Sequence, residues 1–310
     1  MAMTEPALPA SHRLIHFTPL RYPGGKAKLA EYVKSLMKAN RLIDGEYVEP
    51  YAGGSAIALE LLFHEYVSCI HINDISRPVH AFWKSVLDDT EEFCKLVLKK
   101  PLTVAQWDKQ KKILRNPDDH NHVELGFAMF FLNRTNRSGI LNAGIIGGRD
   151  QTGPWKIDAR YNAKELVRRI EAIAQMRDRI KLTRQNALRF LRAGISKWPK
   201  ETLIYLDPPY YVKGRDLYYD FYEHKDHERI AKFINESVIR QKWIVSYDNV
   251  QPIRALYPAS RYVTYDIGYS ARSASQGSEV MFFCDGLKVP PLIGSIKLTE
   301  DHAGILQKMA

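Results

Sequence analysis

One short segment near the middle of the chain carries residues that could bind a planar amine. Residues 203–211 read LIYLDPPYY, in which an apolar, strand-like run leads into Asp207 and then into Pro208, Pro209 and Tyr210. Proline fixes φ and lacks an N–H, so two prolines after a strand hold an extended exit and leave the Pro208 carbonyl without a helical partner. Asp207 and that carbonyl could then accept both hydrogens of an exocyclic amino group beside the Tyr210 ring, which turns the nitrogen into a nucleophile. An Asp-Pro turn with tyrosines that serve packing is the alternative.

A glycine-rich turn predicts a nucleotide-like ligand at the same edge of a sheet. The segment EPYAGG at 49–54 follows a short strand and precedes a helix, and Asp74 ends the next strand. Glycine lets the backbone approach a ligand that a Cβ would block, and a carboxylate at that strand end can accept bonds from both ribose hydroxyls. The turn differs from GxGxxG and is less specific than that dinucleotide pattern. Gly-Gly also serves tight turns and Asp also caps helices, so a structural role for this pair stays open.

The elements that must position these residues alternate between strand and helix. This alternation predicts an α/β fold with a doubly wound, mainly parallel sheet and helices on both faces. The last two strands, separated by a polar loop, indicate an antiparallel hairpin on one edge of the sheet. The seven expected strands lie at 47–48, 66–74, 180–183, 203–207, 242–248, 261–269 and 279–285.

Three helices are predicted from periodicity and capping residues. RYPGGK at 21–26 opens a helix with apolar residues at 29, 32, 33, 36 and 37, the spacing of one buried stripe. A second helix begins at Asn162, with Glu165 three residues on as a capping pair. A third spans about 227–239, and we expect His224 and His227 on its solvated start.

The pattern changes between about 75 and 161, where short amphipathic helices replace the strand and helix alternation. This stretch closes with a polar Gly/Asn/Arg-rich loop at 133–156, whose turn signals fit neither core nor a regular helix. We interpret 76–161 as an inserted, helix-rich target-recognition module in a catalytic domain formed by 14–75 and 162–290, with a tail at 291–310.

Composition limits the class of partner. Lys and Arg exceed Asp and Glu by 45 − 35 = 10, which favours a polyanionic partner but also fits a basic protein without one. The three cysteines are far apart, without CxxC pairs or His clusters, so we expect neither a disulfide framework nor a metal site. The longest apolar run, at 127–132, is too short to span a membrane, and the start lacks a signal peptide's apolar core. We expect a cytoplasmic protein.

Five motifs in a fixed order resemble those of the Dam-type DNA adenine-N6 methyltransferases. They are RYPGGK, VEPYAGGSA, IND, FLNR with its following Gly/Asn loop, and DPPY, and the resemblance covers about residues 20 to 285. It implies a seven-stranded methyltransferase sheet, S-adenosyl-L-methionine as methyl donor, and catalytic residues at Asp207, Pro208, Pro209 and Tyr210. Donor-binding residues would be Tyr22, Pro23, Gly24, Gly25, Lys26, Glu49, Pro50, Tyr51, Gly53, Gly54, Asp74, Asn186 and Asp207.

Two positions depart from the family pattern. The family generally has Trp or Phe where Tyr22 stands, and this substitution keeps an aromatic surface. In the segment RQNAL, Asn186 stands where relatives often place an acidic or hydroxyl group near the donor's adenine. Asn186 could still hydrogen-bond that base.

The resemblance also implies double-stranded DNA as the partner. An adenine inside a duplex must be flipped out to reach such a pocket, and Tyr210 would stack on it. Phosphates and neighbouring bases would meet polar loop residues, so that binding would weaken steeply with salt, and the protein would associate with the nucleoid through its DNA. The candidates for these contacts are Arg134, Arg137, Asn142, Arg149, Lys213, Arg215 and Arg272.

Three competing functions remain at this stage. The methyl group could go to another exocyclic amine, either cytosine N4 or adenine in RNA, although Asp rather than Ser in DPPY favours adenine. The chain could be a catalytically silent DNA-binding module of the same fold, which the intact motifs disfavour. An oxidoreductase is weaker still because GxGxxG is missing. The recognition sequence, a restriction partner and the oligomeric state cannot be inferred from these residues.

Overall fold

The computed structural model describes residues 17–21, 26–212, 214, 222–267, 277–291 and 297–298. Its strands are β1 (Gly45–Glu49), β2 (Val67–Asn73), β3 (Ile180–Thr183), β4 (Leu203–Leu206), β5 (Lys242–Asp248), β6 (Arg261–Ile267), β7 (Gly277–Phe283) and β8 (Lys297–Leu298). They form one sheet in the order β3-β2-β1-β4-β5-β7-β6-β8. The first five strands in this order pair in parallel, whereas β7 runs antiparallel to β5 and β6, and β6 runs antiparallel to β8.

The fold class predicted from the sequence is confirmed. The seven expected strands are present, mainly parallel with an antiparallel edge, and the two-residue β8 extends that edge. All four residues of β4 are buried, as expected for a central parallel strand that is covered on both faces. Because β2, β1 and β4 are parallel neighbours, their carboxyl ends meet at one sheet edge, where Pro50, Asp74 and Asp207 follow them.

The described residues also contain ten α-helices. The first is preceded by a 3-10 turn at Lys26–Leu29, and the predicted stripe of five apolar residues is fully buried. Asn162 caps its helix as expected, since its side chain accepts a bond from the Glu165 N–H at 3.2 Å. The helices are α1 (Ala30–Ala39), α2 (Ala56–Phe63), α3 (Arg77–Asp88), α4 (Thr90–Lys99), α5 (Val104–Arg115), α6 (His122–Thr135), α7 (Ala163–Gln175), α8 (Ala187–Gly194), α9 (His224–Glu236) and α10 (Gln251–Leu256).

The prediction for α9 was wrong in its bounds and in one histidine. The helix begins at His224 rather than His227, because the side chains of Glu223 and Asp226 form a capping box there. His227 is fully buried, with Nδ1 3.1 Å from the hydroxyl of Tyr247, instead of lying on a solvated face. Burial lowers the pKa of His227 to about 4, so this imidazole is neutral near pH 7.

Four helices, α3 to α6, lie between β2 and α7 and pack on the edge of the sheet domain. Helices α3 and α6 pack closely, since a Cβ on Gly126 would lie 2.7 Å from the Ala81 carbonyl oxygen. From α3, the indole N–H of Trp83 donates to the Gly53 carbonyl at 2.9 Å. The inserted helices therefore touch the glycine-rich turn directly. None of the helices in the described part of the chain is long and apolar enough to cross a membrane.

Candidate active site

A cavity of about 690 Å³ opens at the carboxyl ends of β1, β2 and β4. Its size is within the usual range for small-molecule sites. Residues 17–21, the inserted helices and α7 complete its walls. Of the residues singled out from the sequence, those lining it are Lys26, Glu49, Pro50, Tyr51, Gly53, Gly54, Asp74, Arg134, Asp207 and Pro209.

The Asp207 carboxylate is held through one of its oxygens. Its Oδ1 lies 2.8 Å from Lys26 Nζ and accepts the Ser246 hydroxyl at 2.7 Å. Lys26 comes from the 3-10 turn before α1 and Ser246 from β5, so two elements that are distant in sequence converge on this oxygen. The Asp207 side chain keeps 22% of its surface exposed, towards the cavity that it lines. Oδ2 is therefore the oxygen that can meet a ligand.

A buried glutamate on β7 extends this network. The Glu279 side chain is 1% exposed, and it accepts Lys26 Nζ at 2.9 Å and the Tyr210 hydroxyl at 2.6 Å. The Tyr265 hydroxyl donates to the same carboxylate at 3.0 Å. Lys26 also lies 5.5 Å from the centre of the Tyr210 ring. The segment from Asp207 to Tyr210 is thus held at both ends, by Lys26 at Asp207 and by Glu279 at Tyr210.

The charged groups of this network shift each other's pKa values. Burial opposes the Lys26 charge, but the carboxylates of Asp207 and Glu279 outweigh it and hold the pKa of Lys26 well above its usual value. The pKa of Asp207 is raised, because burial and the Glu279 charge together outweigh the lowering by Lys26. Lys26 is therefore a fixed cation between two carboxylates.

The glycine-rich turn is locked to the end of β2. Gly53 has φ +45°, a left-handed conformation that glycine adopts readily, and its N–H donates to Asp74 Oδ2 at 2.9 Å. Asp74 Oδ1 accepts the Ser76 N–H at 2.9 Å. The sequence predicted that the glycine-rich turn and Asp74 lie at the same sheet edge. The Asp74 carboxylate also stabilises the turn through its bond to the Gly53 N–H.

Asn73 joins three strand ends beneath the cavity. Its side-chain N–H groups donate to the carbonyls of Pro50 and Gln185 at 3.0 and 2.9 Å. Its Oδ1 accepts the Thr183 hydroxyl at 2.8 Å and the Gln185 N–H at 2.9 Å. The side chain is fully buried, so these four bonds satisfy it and fix the loops after β1, β2 and β3.

Glu49 is a second buried carboxyl group on the cavity wall. Its Oε1 accepts the Tyr47 hydroxyl at 3.0 Å and the Ala58 N–H at 3.3 Å. Burial raises the pKa of Glu49 to about 8, with a further increase from the Asp207 charge, against the lowering by these hydrogen bonds. A cationic ligand in the cavity would favour its ionised form.

The FLNR motif holds the backbone of Arg21. Asn133 Oδ1 accepts the Arg21 N–H and Asn133 Nδ2 donates to the Arg21 carbonyl, both at 2.8 Å. Nδ2 also donates to the Gly139 carbonyl at 2.9 Å. Asn136 accepts the indole N–H of Trp107 at 2.7 Å. The Gly/Asn loop and the N-terminal segment are thus joined through α6.

Other residues expected at the site lie elsewhere. Tyr210 is 5% exposed, and neither it nor Pro208 is among the described residues that line the cavity. Asn186 caps α8, where its Oδ1 accepts the N–H groups of Leu188 and Arg189, and its neighbours Gln185 and Ala187 line the cavity instead. Tyr22, Pro23, Gly24 and Gly25 lie outside the described residues.

The candidate DNA-contacting residues are dispersed. Arg134 lines the cavity, whereas Arg137 and Asn142 are exposed outside it. Arg149 forms two bonds of 2.8 Å to the Asp108 carboxylate on α5. Lys213, Arg215 and Arg272 lie outside the described residues.

Ser246, Glu279 and Asn73 were not predicted as site residues from the sequence. Each carried one signal, a polar residue beside apolar ones in a predicted strand: KWIVSYD, SEVMFF and SCIHIN. Such a residue in a buried strand needs a partner, but the partner's identity depends on a strand order that only the fold reveals. Across the described residues, no group of three or more His, Cys, Asp or Glu side chains could hold a metal ion.

The chain shares similarity with solved structures and with a family model. A conserved hypothetical protein from Streptococcus pyogenes is 10% identical with a TM-score of 0.32, over 78% of this chain and 88% of that one. A protein from Legionella pneumophila is 12% identical with a TM-score of 0.33, over 87% of this chain and 88% of that one. At these scores neither likeness supports an argument, and no curated protein matches the chain. A family model for D12 class N6 adenine-specific DNA methyltransferases matches residues 22–267, and the chain therefore belongs to this family.

Proposed function

We propose that the protein transfers a methyl group from S-adenosyl-L-methionine to N6 of an adenine flipped out of double-stranded DNA. Its family methylates adenine N6 in DNA and implies a methyl donor. The observation that carries the assignment is the Asp207 carboxylate, fixed through Oδ1 by Lys26 and Ser246 beside the glycine-rich turn.

The residues around the cavity suit a cationic donor. Four carboxyl groups, from Glu49, Glu60, Asp74 and Asp207, line it. Tyr51 and Gly53 add an aromatic surface and a close approach of backbone. When bound, the donor supplies an electrophilic methyl group on a sulfonium. In this proposal the residues after β1 and β2 hold the donor, and Asp207 after β4 binds the acceptor amine of adenine.

The chain's own contribution is to orient the amine. In this proposal one N6–H group donates a hydrogen bond to Asp207 Oδ2 and the other to the carbonyl of Pro208, which lies in the chain between the cavity-lining Asp207 and Pro209. These two hydrogen bonds direct the nitrogen lone pair towards the methyl group. Lys26 and Glu279 keep Asp207 and Tyr210 in register, so that little reorganisation is needed when adenine enters. Residues 76–161 would contact the duplex, and Arg137, Asn142 and Arg149 are its exposed candidates for phosphate or base contacts.

Nucleoside analysis tests the proposal. Purified protein is incubated with S-adenosyl-L-methionine carrying a labelled methyl group and with either double-stranded DNA or RNA, and the products are digested to nucleosides. We expect label in N6-methyldeoxyadenosine alone. Label in N4-methyldeoxycytidine or in RNA adenosine would support the other exocyclic amines, and donor binding without transfer to any nucleic acid would support a silent module.

A further inference from the structure

Four arginines that are close enough to influence each other's charge line the cavity, in addition to its carboxylates. They are Arg21 before α1, Arg134 in α6, Arg160 before α7 and Arg169 in α7. None of the four takes part in orienting the amine as proposed above. The carboxylates of the cavity therefore come from the strand ends and α2, whereas its arginines come from the N-terminal segment, α6, α7 and the segment before α7.

The arginines are held in place by main-chain acceptors. Arg134 Nε donates to the Arg160 carbonyl at 2.7 Å, and its Nη1 lies at a long 3.5 Å from the Pro19 carbonyl. Arg169 donates to the Thr18 carbonyl at 3.1 Å. These bonds fix the guanidinium groups of Arg134 and Arg169 without neutralising their charge.

Little negative charge balances this cluster. Within the described ranges, Arg169 alone of the four forms an ion pair, at 3.2 Å to Glu165. Burial and the neighbouring charges of Arg21 and Arg169 lower the pKa of Arg134 to about 9. Burial and the charge of Arg160 lower the pKa of Arg21. Four arginines that repel each other beside a cavity form a site that an anion would stabilise.

We propose that Arg21, Arg134, Arg160 and Arg169 bind a phosphodiester group of the DNA strand that carries the target adenine. This inference rests on the proposed function, because an adenine whose amine reaches Asp207 brings its own backbone to the mouth of the same cavity. The donor's carboxylate is the other available oxyanion. Four arginines exceed what one carboxylate requires, and they belong to α6, α7 and the N-terminal segment rather than to the acidic strand ends.

The chain offers a matched pair of variants on α7. Arg169 lines the cavity, whereas its neighbour Arg168 is 68% exposed to solvent, and both contact Glu165. Arg169→Gln should therefore lose the phosphate contact, and Arg168→Gln should retain it. Arg160→Gln gives a second test, because this exposed side chain makes no hydrogen bond among the described residues and the carbonyl that Arg134 uses remains.

The experiment measures affinity at several salt concentrations for a DNA duplex in which one adenine lies opposite an abasic site, so that flipping this base costs little, together with affinity for S-adenosyl-L-methionine. We expect Arg169→Gln and Arg160→Gln each to reduce the slope of log K against log salt by about one, as for one lost phosphate contact. Arg168→Gln should change the slope by less than half of that. Donor affinity should stay within about twofold in all three variants, a small change on the scale of tenfold per 1.4 kcal/mol.

Two results would overturn the site. Slopes for Arg169→Gln and Arg160→Gln that equal those of Arg168→Gln and the wild type would show that the four arginines do not bind a phosphodiester. A loss of donor affinity with unchanged DNA slopes would assign the cluster to the donor's carboxylate. Formation of N6-methyladenine by the wild-type protein is measured separately. If the wild type methylates adenine while the slopes are equal, only this site fails. If it forms none, the proposed function falls and this inference with it.

Discussion

At the scale of single residues, the candidate site is a set of side chains held by unequal partners. Asp207 uses one oxygen for Lys26 and Ser246, and Tyr210 uses its hydroxyl for Glu279. Hydrogen bonds to charged groups contribute more than neutral ones, about 1.5–3 kcal/mol each. The geometry of the DPPY segment should therefore depend on Glu279, a residue distant from it in sequence.

Tyr210→Phe tests this dependence with Tyr265→Phe as its matched control. Both substitutions remove one hydroxyl bond to Glu279, but Tyr210 belongs to the DPPY segment and Tyr265 to β6. We expect Tyr210→Phe to lower kcat about tenfold, equivalent to 1.4 kcal/mol of lost positioning, and Tyr265→Phe to lower it by less than threefold. Steady-state kinetics measure both, and equal effects on kcat would contradict the positioning role.

Glu49 gives a prediction for stability against pH. Its pKa is raised from 4.5 to about 8 in the folded protein, so folding favours the protonated carboxyl group. That stabilisation is complete below the unfolded pKa and is lost as pH rises towards the folded pKa. Between pH 5 and pH 8 the wild type should lose stability relative to Glu49→Gln, by at most about 1.4 kcal/mol per pH unit. Urea unfolding at several pH values measures the difference, and a constant difference would contradict it.

At the scale of elements, the inserted helices and the sheet share the cavity. The N-terminal segment is bonded to α6 through Asn133, and α3 reaches the glycine-rich turn through Trp83. A change in the packing of α3 on α6 should therefore be transmitted to the site. Gly126 is a point at which the two helices approach closely.

Gly126→Ala should loosen this packing. The added Cβ would lie 2.7 Å from the Ala81 carbonyl oxygen and 2.9 Å from the Phe82 Cα, both of them backbone atoms that cannot turn away. We expect a loss of about 1–3 kcal/mol in the free energy of unfolding, although alanine is the better helix former. Chemical denaturation measures this loss, and a variant as stable as the wild type would show that α3 can move aside at no cost.

The sequence predicted the elements better than their contacts. The seven strands, the buried stripe of α1 and the cap at Asn162 followed from local periodicity and capping residues. The start of α9 did not, because the capping box of Glu223 and Asp226 lacks the usual Ser or Thr at the first position. His227 was placed on the surface because a run of charged neighbours hid a side chain that tertiary packing buries.

At the scale of the whole molecule, the chain carries ten more positive than negative charges, and four of its arginines line the cavity. The carboxylates that line the same cavity come from other elements, the strand ends and α2, and this combination suits both a cationic donor and a polyanion. The motifs at the strand ends could be predicted from the sequence, since each is a short continuous segment. It could not predict that residues 21, 134, 160 and 169 converge, because only the packing of α6 and α7 on the N-terminal segment brings them together.

The central claim is that Asp207 orients the acceptor amine without being needed to hold the donor. The most direct measurement pairs calorimetric binding of S-adenosyl-L-methionine with transfer of its labelled methyl group to DNA, for wild type, Asp207→Asn and Asp207→Ala. We predict donor affinity within about threefold of wild type in both variants and transfer reduced roughly a thousandfold or more in Asp207→Ala, the scale of a lost transition-state contact. Asp207→Asn should retain part of the activity, since its amide oxygen can still accept one hydrogen bond. Turnover by Asp207→Ala at a rate near that of the wild type would contradict the account.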